Sequence, residues 1–336
     1  MKSSWAAKAE SKYGRKRDDE MKAAALTGFE RIQVFEAEKP APGPGEIRVR
    51  VAACGVCSSE LGLWANPAFS TETPLYFGHE ISGIVEETGA GVERWQTGDR
   101  VTVFAERGGY AEYVVVPESW AIRVADGIPL RAALGEPIGC AMNAAARSGI
   151  GLGDTVVLIG AGFMGALVLQ GARLRGAAKV IAVDAREESL ALARRLGADE
   201  TILAGREDVA ERVRELTGGA GADVAIECTG LQAGLDAATQ VVRIRGKLVV
   251  VGYHQGGPRS IDMQIWNWKG LDVVNAHERE PEAYLSGIRA GMKLLEAGRL
   301  EIAPLLTHEY PLERIDEAFR DAKSKPPGFT KAVIVF

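Results

Sequence analysis

Cysteine is scarce in this sequence: there are four in 336 residues, Cys54, Cys57, Cys140 and Cys228. That is too few to staple a chain of this length, so a disulfide scaffold is excluded, and metal binding or plain burial are the uses left. Long hydrophobic runs are also missing. No stretch approaches the roughly 20 apolar residues of a membrane helix. The basic residues among positions 1–20 are followed by no apolar core of a signal peptide, so a cytoplasmic protein with no membrane partner is expected. Nor does one charge dominate, since 40 Lys+Arg stand against 45 Asp+Glu for a net of −5. This balance argues against nucleic acid as the main partner and favours a small molecule. What is present, 46% apolar and 25% charged residues, is the composition of a globular chain, and at roughly 100–200 residues per domain the length allows about two domains.

Residues 1–20 mix both charges without a sustained apolar period and read as a flexible extension, whereas Met21 opens an alternating, strand-like run. Short strands follow at residues 31–36, 46–53, 81–87, 100–104 and 110–116, punctuated by Pro42, Gly43, Pro44, Gly45, Gly108 and Gly109. This predicts an all-β domain, a partly open barrel. Near Gly151 the character changes. Strands recur about every 20 residues, at 155–159, 179–184, 200–203, 223–227, 247–252 and 271–275, with helical patterns between them. Such alternation means a parallel sheet covered by helices. After Pro281 two helical segments and a last strand at 331–336 break the rhythm and can rejoin the first domain, leaving a site in the cleft between the two.

The run Gly160-Ala161-Gly162-Phe163-Met164-Gly165 is a G-x-G-x-x-G sequence that follows the strand TVVLI and opens a helix. In that context Gly160 makes the tight turn, Gly162 admits a pyrophosphate to the backbone, and Gly165 lets helix pack on strand. The helix N-terminus offers free N–H groups and the positive end of its dipole to the phosphates. The next strand ends in Asp184, 19 residues after Gly165, where a carboxylate can accept bonds from both hydroxyls of an adenosine ribose. NAD is therefore the expected cofactor, with Arg186 leaving room for NADP.

His79-Glu80 in FGHEISGIV and Cys57 in ACGVCSSE bring together the donor types of a tetrahedral Zn2+ with an open position. Each alone has a bland reading as a hydrogen-bonded or buried residue. A redox role for the Cys54/Cys57 pair is weak, because that pair follows an alternating strand in a β domain and does not open the helix of a βαβ unit.

These segments, with GDRV, the EPIGC run at Glu136 to Cys140 and the glycine-rich turn, resemble in order the zinc-dependent medium-chain dehydrogenase/reductases, the alcohol, sorbitol and threonine dehydrogenase group. The resemblance runs from Met21 to Phe336. It implies an α/β protein, with a GroES-like β-barrel catalytic domain (residues 21–144 and 279–336) and a Rossmann doubly wound parallel-sheet domain (145–278). Residue by residue it implies Cys57 and His79 as zinc ligands, Glu80 as the acid beside that histidine, and Ser59 as the hydroxyl that takes the substrate proton. Either Glu136 or Cys140 completes the site. Glu136 is preferred, because Pro137 restricts its backbone at the domain junction, with Glu80 exchanging with water. Cys228, Thr229 and Gly252, on loops at the C-terminal edge of the sheet, fall at the nicotinamide and its ribose together with residues 273–275, and Lys331 near the pyrophosphate.

Departures from the pattern matter as well. Residues 101–110 hold no cysteine, so the four-cysteine structural zinc lobe is missing and one zinc per chain is expected. Glu60 replaces the usual aspartate, and Gly62 stands where many alcohol dehydrogenases have a relay histidine. Trp266, Trp268, His254 and His277 receive no catalytic role. The function implied is an NAD-dependent dehydrogenase of a secondary alcohol of polyol, sugar or cyclitol type, working as a homodimer or homotetramer. The competing readings are a zinc-free quinone or enoyl reductase of the same fold and a catalytically silent NAD-binding protein.

Overall fold

The computed structural model describes residues 19–336. Of the extension expected over 1–20, positions 1–18 lie outside the described residues, and Glu20 already belongs to the first strand. That strand, β1 (Glu20–Gly28), pairs antiparallel with β2 (Arg31–Glu38). Strand β3 (Glu46–Gly55) alternates as read, burying Ile47, Val49 and Val51 on one face. After it come α1 (Ser58–Trp64), the short β4 (Leu75–Tyr76), β5 (Glu80–Thr88), β6 (Arg100–Phe104), β7 (Tyr113–Pro117) and β8 (Ala121–Arg123). The strand expected to begin at residue 110 begins at Tyr113, because Tyr110 turns its whole side chain into the interior, where it is 1% exposed.

Helix α2 (Gly135–Arg147) leads into β9 (Thr155–Ile159), α3 (Phe163–Arg175), β10 (Lys179–Asp184), α4 (Glu187–Arg195), β11 (Glu200–Leu203), α5 (Val209–Leu216), β12 (Ala222–Glu227), α6 (Gln232–Val241), β13 (Val242–Val250), α7 (Met263–Lys269) and β14 (Asp272–Asn275). These six strands form one sheet in the order β11-β10-β9-β12-β13-β14, every pair parallel. Its first strand lies in the interior and the order reverses beside it, which opens a crevice at the C-terminal edge between β9 and β12. The run expected at 247–252 begins five residues earlier and ends at Val250, and Val273 lies inside β14 itself.

The chain ends with α8 (Pro281–Glu296), β15 (His308–Pro311), α9 (Ile315–Ser324) and β16 (Ala332–Val335). As the broken rhythm predicted, β16 returns to the first sheet, antiparallel to β3 and parallel to β15. The catalytic sheet therefore runs β15-β16-β3-β5-β6-β8, with β7 also on β3. Three larger cores hold the parts, beside a small cluster of Met21, Ala23 and Ala111. One fills the barrel around Trp64, Ile81 and Phe319, and another covers one face of the parallel sheet. The third runs through the junction, where Leu134, just before α2, and Ile138 of α2 meet Leu285 and Ile288 of α8. Among the described residues no helix is long and apolar enough to cross a membrane.

Candidate active site

Pairing of β3 with β5 sets Gly55 opposite Glu80. The chain leaves β3 into an extended Cys57 (φ −87, ψ 136) that precedes α1, so one strand end and one strand start deliver Cys57, His79 and Glu80 to the same place. Their ligand atoms lie within 4.8 Å of one another. Ser59, in the first turn of α1, donates its hydroxyl to Cys57 Sγ at 3.1 Å.

Around this set the structure shows partners the sequence did not reveal. Glu60 Oε1 lies 3.1 Å from His79 Nδ1 and accepts the Gly78 N–H at 2.8 Å, while its Oε2 accepts the Tyr110 hydroxyl at 2.7 Å. Glu60 thus orients the histidine ring, which is what a larger acid after Ser59 does here, and leaves Nε2 for the cluster. Tyr110 also donates to Gly55 O at 3.0 Å. Lys331, expected near the pyrophosphate, places Nζ 2.7 Å from Glu80 Oε1, with the two side chains 6% and 1% exposed. The same ammonium lies 4.4 Å over the Phe163 ring of the glycine-rich turn, so it joins the two halves of the cleft. Signals for these contacts were absent because Glu80 and Lys331 lie 251 residues apart in sequence.

Helix α2 brings a further pair. Glu136 sits in its first turn, where a following proline costs no helical hydrogen bond. Glu136, expected at the domain junction with its backbone restricted by Pro137, lies inside the helix with Cys140: the two are one helical turn apart, and Cys140 Sγ donates to Glu136 Oε1 at 3.2 Å. Neither belongs to the group within 4.8 Å, although Glu136 lies within electrostatic reach of His79, Glu80 and Lys331, and Cys140 within reach of Cys57.

The electrostatics follow from this crowding. Burial works against a charged His79, yet Cys57 and Glu60 outweigh it and hold the ring's pKa well above the usual value. Burial pushes Glu136 up, with Glu80 adding to it, and burial together with Glu136 pushes the Cys140 thiol well up. For Lys331, burial is likewise outweighed by the carboxylate of Glu80, and its pKa is raised. Three carboxylates and two thiols share this space with one lysine and one imidazole, so acidic groups outnumber basic ones. Glu80 Oε2 is buried with no hydrogen-bond partner, the state of an atom prepared for a cation. Thiolate, imidazole and carboxylate are the donors Zn2+ takes, and the residues fit it.

Across the cleft, Gly160 turns the chain at φ +93, and a Cβ on Gly165 would stand 1.9 Å from the Gly160 carbonyl oxygen, so α3 can leave β9 this closely only without a side chain there. Gly162 is the extended residue before α3, while Phe163 and Met164 open that helix. Asp184 closes the turn: its Oδ2 accepts the Ala161 N–H at 2.8 Å and its Oδ1 the Arg186 N–H at 2.9 Å. Beyond it an open cavity of about 640 Å³ is lined by Ala185, Arg186, Leu203, Ala204, Arg206 and Lys325, among others.

At the C-terminal ends of β12 and β13 the fully buried Glu227 organises both loops. Its Oε1 accepts the N–H groups of Thr229 and Gly230 and the Thr229 hydroxyl, and its backbone carbonyl accepts those of Val251 and Gly252. Burial and Glu227 together push the Cys228 thiol well up. His254 lies against Glu227 Oε2 at 2.9 Å, and His277 Nε2 lies 3.3 Å from Gly252 O. Trp266 donates to Thr239, whereas Trp268 is 73% exposed.

A β-domain carrying a cation-ready cluster, facing a parallel sheet with a glycine-rich turn, defines a nucleotide-dependent oxidoreductase of two domains. Residues 43–126 match the alcohol dehydrogenase GroES-like domain and residues 164–288 the zinc-binding dehydrogenase family. The chain is 32% identical to the sorbitol dehydrogenase of Gallus gallus over 84% of its length and 88% of that enzyme. It is also 32% identical to the erythritol/L-threitol dehydrogenase of Mycolicibacterium smegmatis, over 88% and 92%. Among solved structures, a Sinorhizobium meliloti protein bound to NADP superposes with a TM-score of 0.84 at 27% identity, over 94% of this chain and 99% of that one. The chain belongs to the zinc-type medium-chain dehydrogenase/reductase family and is an alcohol-dehydrogenase-type oxidoreductase.

Proposed function

We propose that this protein is a zinc- and NAD-dependent dehydrogenase that interconverts a secondary alcohol of polyol, sugar or cyclitol type and its ketone. The observation that carries the proposal is the group Cys57, His79 and the buried Glu80, with an unpartnered oxygen on Glu80 and the Ser59 hydroxyl beside Cys57. Bound Zn2+ would supply the Lewis acidity that lowers the pKa of the substrate hydroxyl, and bound nicotinamide the hydride acceptor. The chain's own residues do the rest. Ser59 Oγ takes the substrate proton, Glu60 holds His79 with Nε2 turned inward, and Lys331 offsets the charge of Glu80. Glu80 supplies the third donor, and Glu136, held by Cys140, stands outside it as the substitute.

The NAD reading is supported by Asp184 at the end of β10, a position from which a carboxylate can accept from an adenosine ribose diol. NADP is the second reading, because Arg186, Arg206 and Lys325 line the adjoining cavity and the S. meliloti relative carries that cofactor. Polyol substrates are supported by the names of the relatives in Gallus and Mycolicibacterium. Association into a homodimer or homotetramer is supported by the open sheet edge at β14, where Val273 is 41% exposed. The test is metal analysis of the purified protein together with NAD and NADP reduction over a panel of alcohols and polyols. About one zinc per chain and turnover of a polyol are expected. Turnover without zinc would support the quinone or enoyl reductase, and zinc-loaded protein inert towards the whole panel would support the silent protein.

A further inference from the structure

Gly62 carries no side chain, yet the space beside it is filled from the opposite half of the molecule. Gln255, between β13 and α7, donates from Nε2 to the Ser59 carbonyl at 2.9 Å. A Cβ on Gly62 would stand 1.9 Å from Gln255 Oε1 and 3.1 Å from its Cδ. The glutamine is braced from behind. Arg259 Nη2 donates to the Gln255 carbonyl at 2.7 Å and to the Gly230 carbonyl at 3.1 Å, and Arg259 Nε donates to His254 Nδ1 at 3.0 Å. Because Nδ1 of His254 accepts, its proton sits on Nε2 and is donated to the buried Glu227. A continuous hydrogen-bonded chain therefore runs from the edge of the parallel sheet, through the loop at residues 252–259, to the helix that presents Ser59.

We propose that Gln255 is a positioning residue that latches the cofactor-side loop to α1, with Gly62 as its socket. This rests on the reading of Ser59 as the proton-accepting hydroxyl. Hydride acceptor and proton acceptor are held by different halves of the molecule, so their separation depends on contacts across the cleft, and a misplacement of about 1 Å can cost a hundredfold in rate. One amide bond at the rim, with the cores intact behind it, is expected to control about tenfold of that.

Three variants test the latch. Gln255→Ala removes it, Gln255→Glu keeps its size but loses the donor, and Gly62→Ala fills the socket. In Gly62→Ala only the flexible end of Gln255 has to move, and alanine in place of glycine favours a helix, so Tm should hold or rise while turnover falls. Each variant should lower kcat about tenfold, with zinc content unchanged and NADH binding within about twofold. The double variant Gly62→Ala/Gln255→Ala should be no slower than either single one. Amide exchange in residues 58–64 should quicken in both Gln255 variants. Wild-type kcat in both Gln255 variants, or losses that multiply in the double variant, would overturn the latch, and so would unchanged exchange. If the unmodified protein oxidises no alcohol, the dehydrogenase reading fails on its own account, and the exchange measurement still decides the latch.

Discussion

The two walls of the cleft are built on opposite principles. On the barrel side, charge is concentrated: Glu60, Glu80, Glu136, Cys57, Cys140 and Lys331 come from four separated stretches of chain, and burial together with neighbouring charge shifts Glu136, Cys140 and Lys331. On the sheet side the backbone does the work. Gly160, Gly165 and the N–H groups of Ala161, Thr229 and Gly230 shape the surface, with single carboxylates, Asp184 and Glu227, pinning the turns. A side-chain change on the first wall should therefore alter metal and chemistry, and one on the second should alter which nucleotide fits.

Breaking the charged wall should give the largest effects. Cys57→Ser or His79→Ala should empty the site of zinc and lower turnover by about a thousandfold or more, since a polarising metal supplies several kcal/mol of barrier reduction. Metal analysis beside steady-state kinetics reads both, and retained zinc in either variant would remove that residue from the ligand set. Ser59→Ala should keep its zinc and lose about a hundredfold in kcat, the usual contribution of a proton-transferring group. Near-normal turnover would pass the proton to water.

The two buried acids sharpen the comparison within that wall. Glu80→Gln should weaken zinc affinity by about a hundredfold and Glu136→Gln by about tenfold, as for a ligand against an outer partner, and competition with a chelator ranks them. A greater loss in Glu136→Gln would return the ligand role to α2.

On the sheet wall the effects should be smaller and of another kind. Asp184→Ala should weaken NAD and shift the NAD-to-NADP preference about tenfold, a change worth about 1.4 kcal/mol, with zinc untouched; a two-cofactor kinetic comparison measures it. Smallest of all, Asp208→Ala removes the side chain that accepts the Glu211 N–H at 2.9 Å at the start of α5. It should cost about 1 kcal/mol of stability and no activity, as thermal unfolding and an assay together would show.

Legibility in the sequence followed the same divide. Where function rests on a contiguous run, the reading was close: the strands Thr155–Ile159, Lys179–Asp184 and Glu200–Leu203 stand as expected, and Asp184 lies on the glycine-rich turn. Hydrophobic period and glycine placement suffice there because both act locally. The charged wall is assembled from distant pieces, and only its motif-bearing members were visible. Glu60 read as an anomaly because its partner His79 arrives through the β3–β5 pairing. Tyr110 read as a strand residue because alternation does not say which aromatic turns inward to a carboxylate. Lys331 was assigned to the nucleotide by resemblance, and its bond to Glu80 depends on the late return of β16 to β3.

That return sets an order of events during synthesis. The six strands of the parallel sheet leave the ribosome as one uninterrupted stretch and can close on themselves, whereas residues 53–55 of β3, beyond the part that β7 covers, must wait for β16. Until then Glu80 has no lysine, and a buried carboxylate without its counter-charge disfavours the closed barrel. Closing the strand gap and neutralising Glu80 are thus one event, because Lys331 directly precedes the strand that covers residues 53–55 of β3.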